Sequence, residues 1–170
     1  PENAVKLLPL KGEVKFDKVF FNYETNQPQV LTDISFSVQP GQVIAFVGAS
    51  GVGKSTVISL ISGYNFPNEG QVLIDGIDTR KLNLTNLRQQ IAVVPQEVAL
   101  FNDTIKANIR YGSFGASDEK VFQAAREAHI EEFVETLPKK YDTTVGERGI
   151  KLSVGQKQRV AIARAILRNP

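Results

Sequence analysis

The sequence contains no cysteine, no methionine and no tryptophan, and it has a single histidine. Without cysteine, disulfides, thiolate catalysis and cysteine-based metal sites are excluded. No apolar run approaches the roughly 20 residues that a membrane-spanning helix needs. The 20 basic and 18 acidic residues are spread along the chain, so no run of one sign indicates a nucleic-acid tail. The 170 residues, 42% of them hydrophobic, are enough to bury the core of one domain.

Short apolar runs between turn residues indicate strands. Five such runs are predicted to be strands: GEVKFDKVFFNY, VLTDISFSVQPG, QVIAFVG, QVLIDG and IAVVP. The first two are expected to pair with each other. QVIAFVG is continuously apolar, which is typical of a strand that is buried on both faces in a parallel sheet. Residues 1–12, which contain two prolines and a glycine, are predicted to be a linker.

Two stretches are predicted to be helices. VISLISGY follows a glycine-rich loop and has the apolar spacing of a helix that Gly63 can end. SDEKVFQAAREAHIEEFVETL is predicted to be one long amphipathic helix with Ser117 as its N-cap. Alternation of strands and helices predicts an α/β fold.

The glycine-rich loop is GASGVGKST, and it has the complete spacing of a phosphate-binding loop. It comprises Gly48, Ala49, Ser50, Gly51, Val52, Gly53, Lys54, Ser55 and Thr56. The glycines allow successive backbone N–H groups to face a phosphate at a helix N-terminus. Lys54 adds a positive charge for the β- and γ-phosphates, Ser55 can bind Mg²⁺, and Thr56 can support the phosphates. The spacing does not fit the dinucleotide-binding pattern Gly-x-Gly-x-x-Gly.

A second motif is LSVGQKQR, residues 152–159, which precedes the apolar-periodic stretch RVAIARAIL. Ser153 and Gln156 form a capping-box pattern, which would present backbone N–H groups at a second helix N-terminus. Together with the phosphate-binding loop, this motif resembles the nucleotide-binding domain of ABC transporters. The family motif is Leu-Ser-Gly-Gly-Gln, and Val154 departs from it at the third position.

The resemblance implies ATP as the ligand, Mg²⁺ as its metal and a role for five further residues. Tyr23 corresponds to the aromatic residue that stacks on adenine. Gln96, in VVPQ, corresponds to the glutamine that reaches Mg²⁺ and the attacking water. The family works as a head-to-tail pair of domains, so Ser153, Gly155 and Gln156 would meet the ATP that the other domain holds.

The resemblance also implies a fold and a setting. The expected fold is a P-loop NTPase core with a parallel sheet, an N-terminal antiparallel β subdomain and an inserted helical subdomain at about 97–152. TTVGERG resembles a loop of exporter-type members that touches the membrane domain, and LFNDTIKANIRYG resembles the mitochondrial and heavy-metal-tolerance branch. The domain would then belong to a membrane transporter and face the cytosol or an organelle matrix. Residues 1–12 would be the linker from the membrane domain, and residues 13–170 an ATP-binding domain.

Hydrolysis requires a carboxylate that holds Mg²⁺ and a group that orients the attacking water. In the family these lie on an apolar strand ending Asp-Glu and a later histidine, and the C-terminal part that carries them is expected to be missing here. Asp75 in VLIDG is predicted to lie in a turn between strands. His129 is predicted to have an ordinary helix-surface or packing role, and Glu97 to be a solvated loop carboxylate. The basic residues that recur on the last helix are predicted to form a charged solvent face or to contact the missing part of the domain: Lys157, Arg159, Arg164 and Arg168. The segment is therefore expected to bind ATP and not to hydrolyse it.

Three other functions share part of the pattern. A small-molecule phosphotransferase would have the phosphate-binding loop but gives no reason for LSVGQ or Tyr23. A soluble ABC-family ATPase acting on DNA or ribosomes would have both nucleotide motifs, and the exporter-like TTVGERG argues against it. A non-hydrolysing nucleotide-binding module would need the chain to stop near residue 170.

Overall fold

The computed structural model describes residues 4–6, 9–24, 26 and 28–170. The chain divides into two compact units, Pro1–Ile91 and Ala92–Pro170.

A four-stranded antiparallel sheet dominates the first unit. Its strands are β1 (Val14–Phe21), β2 (Leu31–Val38), β3 (Glu69–Ile74) and β4 (Ile77–Asp78), in the order β2-β1-β3-β4. Three of the five predicted strands are thereby confirmed, and so are the α/β class and the antiparallel N-terminal sheet. β3 and β4 are joined by Asp75 and Gly76, which both have positive φ, 49° and 78°. A two-residue type I′ turn requires positive φ at both positions, so the predicted turn at Asp75 is confirmed.

One helix packs against this sheet through its apolar face. Helix α1 (Lys54–Ile61) buries Val57 and Leu60 in a cluster with side chains of β1, β2 and β3. It ends as predicted at Gly63, which has a φ of 65°. There the N–H of Tyr64 donates to the carbonyl of Ser59 at 3.0 Å, which is the capping pattern that a left-handed residue allows. Helix α2 (Leu84–Gln89) adds a smaller cluster beside β3.

The second unit is helical. Its helices are α3 (Ile105–Arg110), α4 (Asp118–Glu127), α5 (Glu131–Glu135) and α6 (Val154–Arg168). They enclose a continuous apolar core whose fully buried members include Ile105, Ile109, Val121, Ala125, Ile130, Val134 and Val160. Ser117 caps α4 as predicted, because its side chain accepts the N–H of Lys120.

The prediction of one long helix from residue 118 onward is wrong. Helix α4 ends at Glu127, and His129 takes a left-handed conformation with a φ of 55°. The N–H of Ile130 then donates to the carbonyl of Ala125, which closes the helix as a glycine would. Ile130 is fully buried. The break turns an apolar side chain into the core, and it needs neither glycine nor proline.

Two predicted strands, QVIAFVG and IAVVP, are not strands in the part of the chain that the structure describes. Val43 and Val47 are 99% and 94% exposed, although the sequence marks them as core residues. A strand forms only when a neighbouring strand pairs with its N–H and C=O groups. Neither segment has such a neighbour among the described residues, so the expected parallel sheet is not formed there.

Candidate functional site

The glycine-rich loop leads directly into α1. Gly53 stands at the N-cap with a φ of 96°, and a Cβ atom at this position would lie 2.7 Å from Leu31 Cδ2. Only glycine fits there without strain. Among the described residues, no side chain caps the first turn of α1. The N–H groups of that turn are therefore available to an anion, and the helix dipole favours one.

The side chain of Lys54 folds back onto the start of the loop and holds the loop closed. Its Nζ donates to the carbonyl oxygens of Gly48 at 2.8 Å and Ala49 at 2.5 Å. A lysine ammonium has three protons, so one remains for a phosphate oxygen. Ser55 is exposed beside it, and Thr56 is buried with 3% of its surface exposed. The loop residues Ala49, Ser50 and Val52 are exposed.

Tyr23 lies within the same unit as this loop. Its hydroxyl is 3.0 Å from Thr56 Oγ1, and its ring meets Phe21 edge to face, with centroids 4.9 Å apart. The residue remains 54% exposed. The structure thus places an exposed aromatic ring in the same unit as the glycine-rich loop, bonded to it through Thr56.

The second motif forms a helix N-terminus in the second unit. Ser153 Oγ accepts the N–H of Gln156 at 3.2 Å, and Gln156 Oε1 accepts the N–H of Ser153 at 2.8 Å. The predicted capping box is therefore confirmed. A Cβ atom at Gly155 would meet nothing within 4 Å. Val154 is 79% exposed and Ile150 is 80% exposed, so this loop presents apolar side chains around its polar N-terminus.

Gln96 also lies in the second unit, in an exposed bend. The carbonyl of the preceding Pro95 accepts a 3.5 Å hydrogen bond from Gln158 of α6. This bond ties the bend to the helix that Ser153 begins. The two predicted metal ligands thus lie in different units, Ser55 in the first and Gln96 in the second. Within the described ranges, no group of three acidic or histidine side chains could hold a metal ion.

Asp75 serves as an anchor for the incoming chain. Its carboxylate accepts the backbone N–H groups of Lys11 at 2.7 Å, Gly12 at 3.0 Å and Glu13 at 2.9 Å. A carboxylate with these partners is committed to holding backbone. Asp75 is thus a structural residue of the β3–β4 turn, which agrees with its predicted role.

Asp75→Asn is expected to lower the stability of the first unit by about 1 kcal/mol, because an amide has one acceptor oxygen for three N–H donors. ATP affinity should stay within about twofold of the wild type, since the loop at Gly48 is untouched. Urea unfolding and nucleotide titration of the full-length protein measure the two quantities. Asp33→Asn, an exposed carboxylate on β2, is the matched control. A large loss of ATP affinity with unchanged stability would contradict this assignment.

A polar network in the second unit was not foreseen from the sequence. Asn108 is fully buried, and its amide bonds the N–H and C=O of Phe101 and the carbonyl of Thr104. Arg164 of α6 donates to both the side chain and the carbonyl of Asn108, each at 2.6 Å, and to the carbonyl of Ala99. Arg164 therefore connects α6 to Asn108 and Ala99 within the second unit and is not part of a charged solvent face.

His129 and Glu97 are exposed, as predicted. The backbone carbonyl of His129 accepts a 2.6 Å hydrogen bond from the side chain of Arg159, so His129 contacts α6 through its backbone.

Comparison with known proteins identifies the family. The family model described as ABC transporter matches residues 31–170. This chain belongs to the ABC transporter family. The match contains both the phosphate-binding loop and the LSVGQ helix, which are the two features of this family that the sequence carries most clearly.

Individual relatives are of the exporter type. The mitochondrial iron-sulfur clusters transporter ATM1 of Chaetomium globosum is 46% identical over the whole chain, and the ATP-dependent lipid A-core flippase of Chromohalobacter salexigens is 50% identical over 94% of it. A bacterial Atm1-family ABC exporter, solved with ATP bound, aligns over the whole chain with a TM-score of 0.96 and 48% identity. The chain spans 28% of the length of each of these two curated relatives and 30% of the solved chain. The chain is thus an exporter-type nucleotide-binding domain. None of the described helices is long and apolar enough to cross a membrane.

Proposed function

We propose that this chain is the ATP-binding part of an ABC exporter that couples ATP binding and hydrolysis to the transport of a substrate across a membrane. The observation that carries the proposal is the pair of helix N-termini, one directly after the glycine-rich loop and one within LSVGQ. Each offers backbone N–H groups to an anion, and each belongs to a motif of the matched family. A phosphotransferase would use only the first.

ATP is proposed to lie against the first unit. Its phosphates would accept the N–H groups of the loop and the charge of Lys54, and its base would stack on Tyr23. Ser55 is proposed to ligate Mg²⁺ through its exposed hydroxyl, and Gln96 to complete the metal and water contacts. Hydroxyl and amide oxygens suit Mg²⁺, which prefers oxygen ligands.

A second nucleotide-binding domain is proposed as the partner of the Ser153 helix. Apolar Ile150 and Val154 are exposed beside the N-terminus of α6, which is typical of a surface that another protein covers. The proposed arrangement is head to tail, so that Ser153, Gly155 and Gln156 meet the ATP held by the partner. Val154 leaves this contact possible, because the N–H group that faces the phosphate is a backbone donor.

The membrane domain of the same transporter is proposed as the other partner. Three aromatic side chains of the second unit form an exposed group: Phe101, Tyr111 and Phe114, which are 52%, 36% and 75% exposed. Phe101 and Tyr111 stack with centroids 4.2 Å apart. The TTVGERG segment is bonded to the chain close to Phe101, since the N–H of Val145 donates to the carbonyl of Asp103. In this setting the domain faces the cytosol or an organelle matrix, with residues 1–12 as the linker and 13–170 as the ATP-binding domain.

The 170 residues themselves are proposed to bind ATP without hydrolysing it. Their sequence has no apolar strand that ends in Asp-Glu, and Asp75 is occupied by three backbone N–H groups. The transported substrate is left unassigned, because the related transporters are named for cargoes as different as iron-sulfur clusters and lipid A-core.

A mixing experiment tests the shared site. Gly155→Glu places a negative charge where the partner's ATP would lie, in open space and at a helix N-terminus that favours acidic residues. Full-length Lys54→Ala and Gly155→Glu proteins should each lose ATP hydrolysis. Mixed dimers regain one intact site of two, so co-assembled variants should recover about a quarter of the wild-type rate. The 170-residue chain alone should release no phosphate.

Two results would contradict these proposals. Absence of recovery on mixing would rule out a site shared between two copies of this chain. Phosphate release by the 170-residue chain that disappears in Lys54→Ala would show that the catalytic groups lie within it. Gly155→Ala serves as the control, since it adds a side chain without a charge and should keep most of the activity.

A further inference from the structure

The bond between Tyr23 and Thr56 joins two parts of the site that are far apart in sequence. Tyr23 follows β1 by two residues, and Thr56 is the third residue of α1. The two hydroxyl oxygens are 3.0 Å apart, within hydrogen-bonding distance. Thr56 comes directly after Lys54 and Ser55, so the bond connects the aromatic ring to the loop that would hold the phosphates.

The Thr56 end of this bond is fixed. Thr56 is 3% exposed, and it is held by α1, whose neighbouring residues Val57 and Leu60 are buried against the sheet. A buried hydroxyl that loses its hydrogen-bond partner costs free energy, so the contact is maintained and is not an incidental surface approach.

The Tyr23 end of the bond is held at two points. The ring edge packs on Phe21 at an interplanar angle of 84°, and Phe21 itself is buried in the same apolar cluster. The hydroxyl is held by Thr56. These two contacts restrict the ring, yet 54% of the residue's surface stays exposed.

We propose that Thr56 is a positioning residue for Tyr23: its hydroxyl holds the exposed ring at a fixed place relative to the phosphate-binding loop. A base connected to a phosphate chain in the loop then meets a ring that is already in position, and binding does not have to immobilise it. The ligand class is therefore an aromatic base carrying phosphates. This inference rests on the nucleotide-binding function proposed above.

The test compares two ligands in the full-length protein. ATP has a base and inorganic tripolyphosphate has none, and both are titrated without Mg²⁺ to prevent hydrolysis. Tyr23→Phe keeps the ring and removes the hydroxyl, so ATP affinity should fall roughly three- to tenfold, the range expected for one neutral hydrogen bond. Tripolyphosphate affinity should stay within about twofold.

Variants of Thr56 supply the second half of the test. Thr56→Val removes the hydroxyl and should lower ATP affinity more than tripolyphosphate affinity, whereas Thr56→Ser keeps the hydroxyl and should restore binding. If the two residues act through one bond, the double variant Tyr23→Phe/Thr56→Val should lose no more ATP affinity than Thr56→Val alone. Tyr64→Phe, at an exposed tyrosine elsewhere in this unit, is the control for loss of a hydroxyl.

Each contrary result has its own meaning. Tyr23→Phe protein that binds ATP as tightly as the wild type would overturn the positioning role while leaving the nucleotide-binding function intact. Equal losses for ATP and tripolyphosphate would show that the hydroxyl acts on the phosphates or on the shape of the loop, which also overturns the positioning role. Wild-type protein that binds tripolyphosphate but gains nothing from the base would overturn both proposals.

Discussion

Lys54→Ala is expected to reduce ATP affinity by between about tenfold and about 150-fold, which corresponds to the loss of one charged hydrogen bond. Two effects combine in this variant. The positive charge that faces the phosphates is lost, and so are the two bonds from Nζ to the carbonyls of Gly48 and Ala49 that hold the loop closed. Isothermal titration of the full-length protein with ATP measures the change, and its hydrolysis should fall to background.

Two variants make the Lys54 result specific. Lys15→Ala removes an exposed lysine from β1 and should leave ATP affinity within about twofold. Lys54→Arg keeps the charge, but a planar guanidinium cannot repeat the geometry of the ammonium within the loop, so we expect only partial recovery. ATP affinity unchanged in Lys54→Ala would mean that the loop does not bind phosphate.

Asn108→Leu is expected to destabilise the second unit by about 3 kcal/mol or more. Leucine has a similar volume but bonds neither the N–H nor the C=O of Phe101, and each buried polar group left unpaired costs about 1–3 kcal/mol. It also removes an acceptor from Arg164, a residue whose burial lowers the pKa of its guanidinium and which therefore needs its partners. Hydrogen exchange of peptides from residues 99–168 in the full-length protein reports the loss.

The control for Asn108 is an amide on the surface of the same unit. Gln123 is exposed on α4, so Gln123→Leu should change stability by no more than about 0.5 kcal/mol. A second readout is local: Arg164 lies 5.6 Å from the ring of Phe101, so exchange near the exposed aromatic group should also increase in Asn108→Leu. Asn108→Leu with unchanged exchange would show that the network contributes little.

Local motifs were predictable because their partners are close in sequence. The loop from Gly48 to Thr56, the cap at Ser117 and the reciprocal bonds of Ser153 and Gln156 each depend on a few adjacent residues, and the structure contains all of them. The roles of Tyr23 in stacking and of Gln96 in metal binding stay predictions.

Features that depend on distant residues were not predictable. The helix break at His129 is set by the burial of Ile130 in the core of the second unit, and nothing in the local sequence marks it. In the sequence, Asn108 is one polar residue on a short helix. Its role in the buried hydrogen-bond network depends on Arg164, which is 56 positions later in the chain. The strand propensity of QVIAFVG was not sufficient either, since pairing needs a second strand.

The anchor at Asp75 also determines how the domain would respond to mechanical tension. A pull on the chain before residue 5 would first meet the two backbone bonds of Val5, to Lys81 and Asn83. It would then meet the bond from Leu10 to the side chain of Gln90 and the three N–H bonds to this carboxylate. The tension would pass into the β3–β4 hairpin and both ends of α2, and these bonds do not involve the loop around Lys54. Displacement of the incoming segment could therefore move the first unit as a body while its phosphate-binding surface keeps its shape.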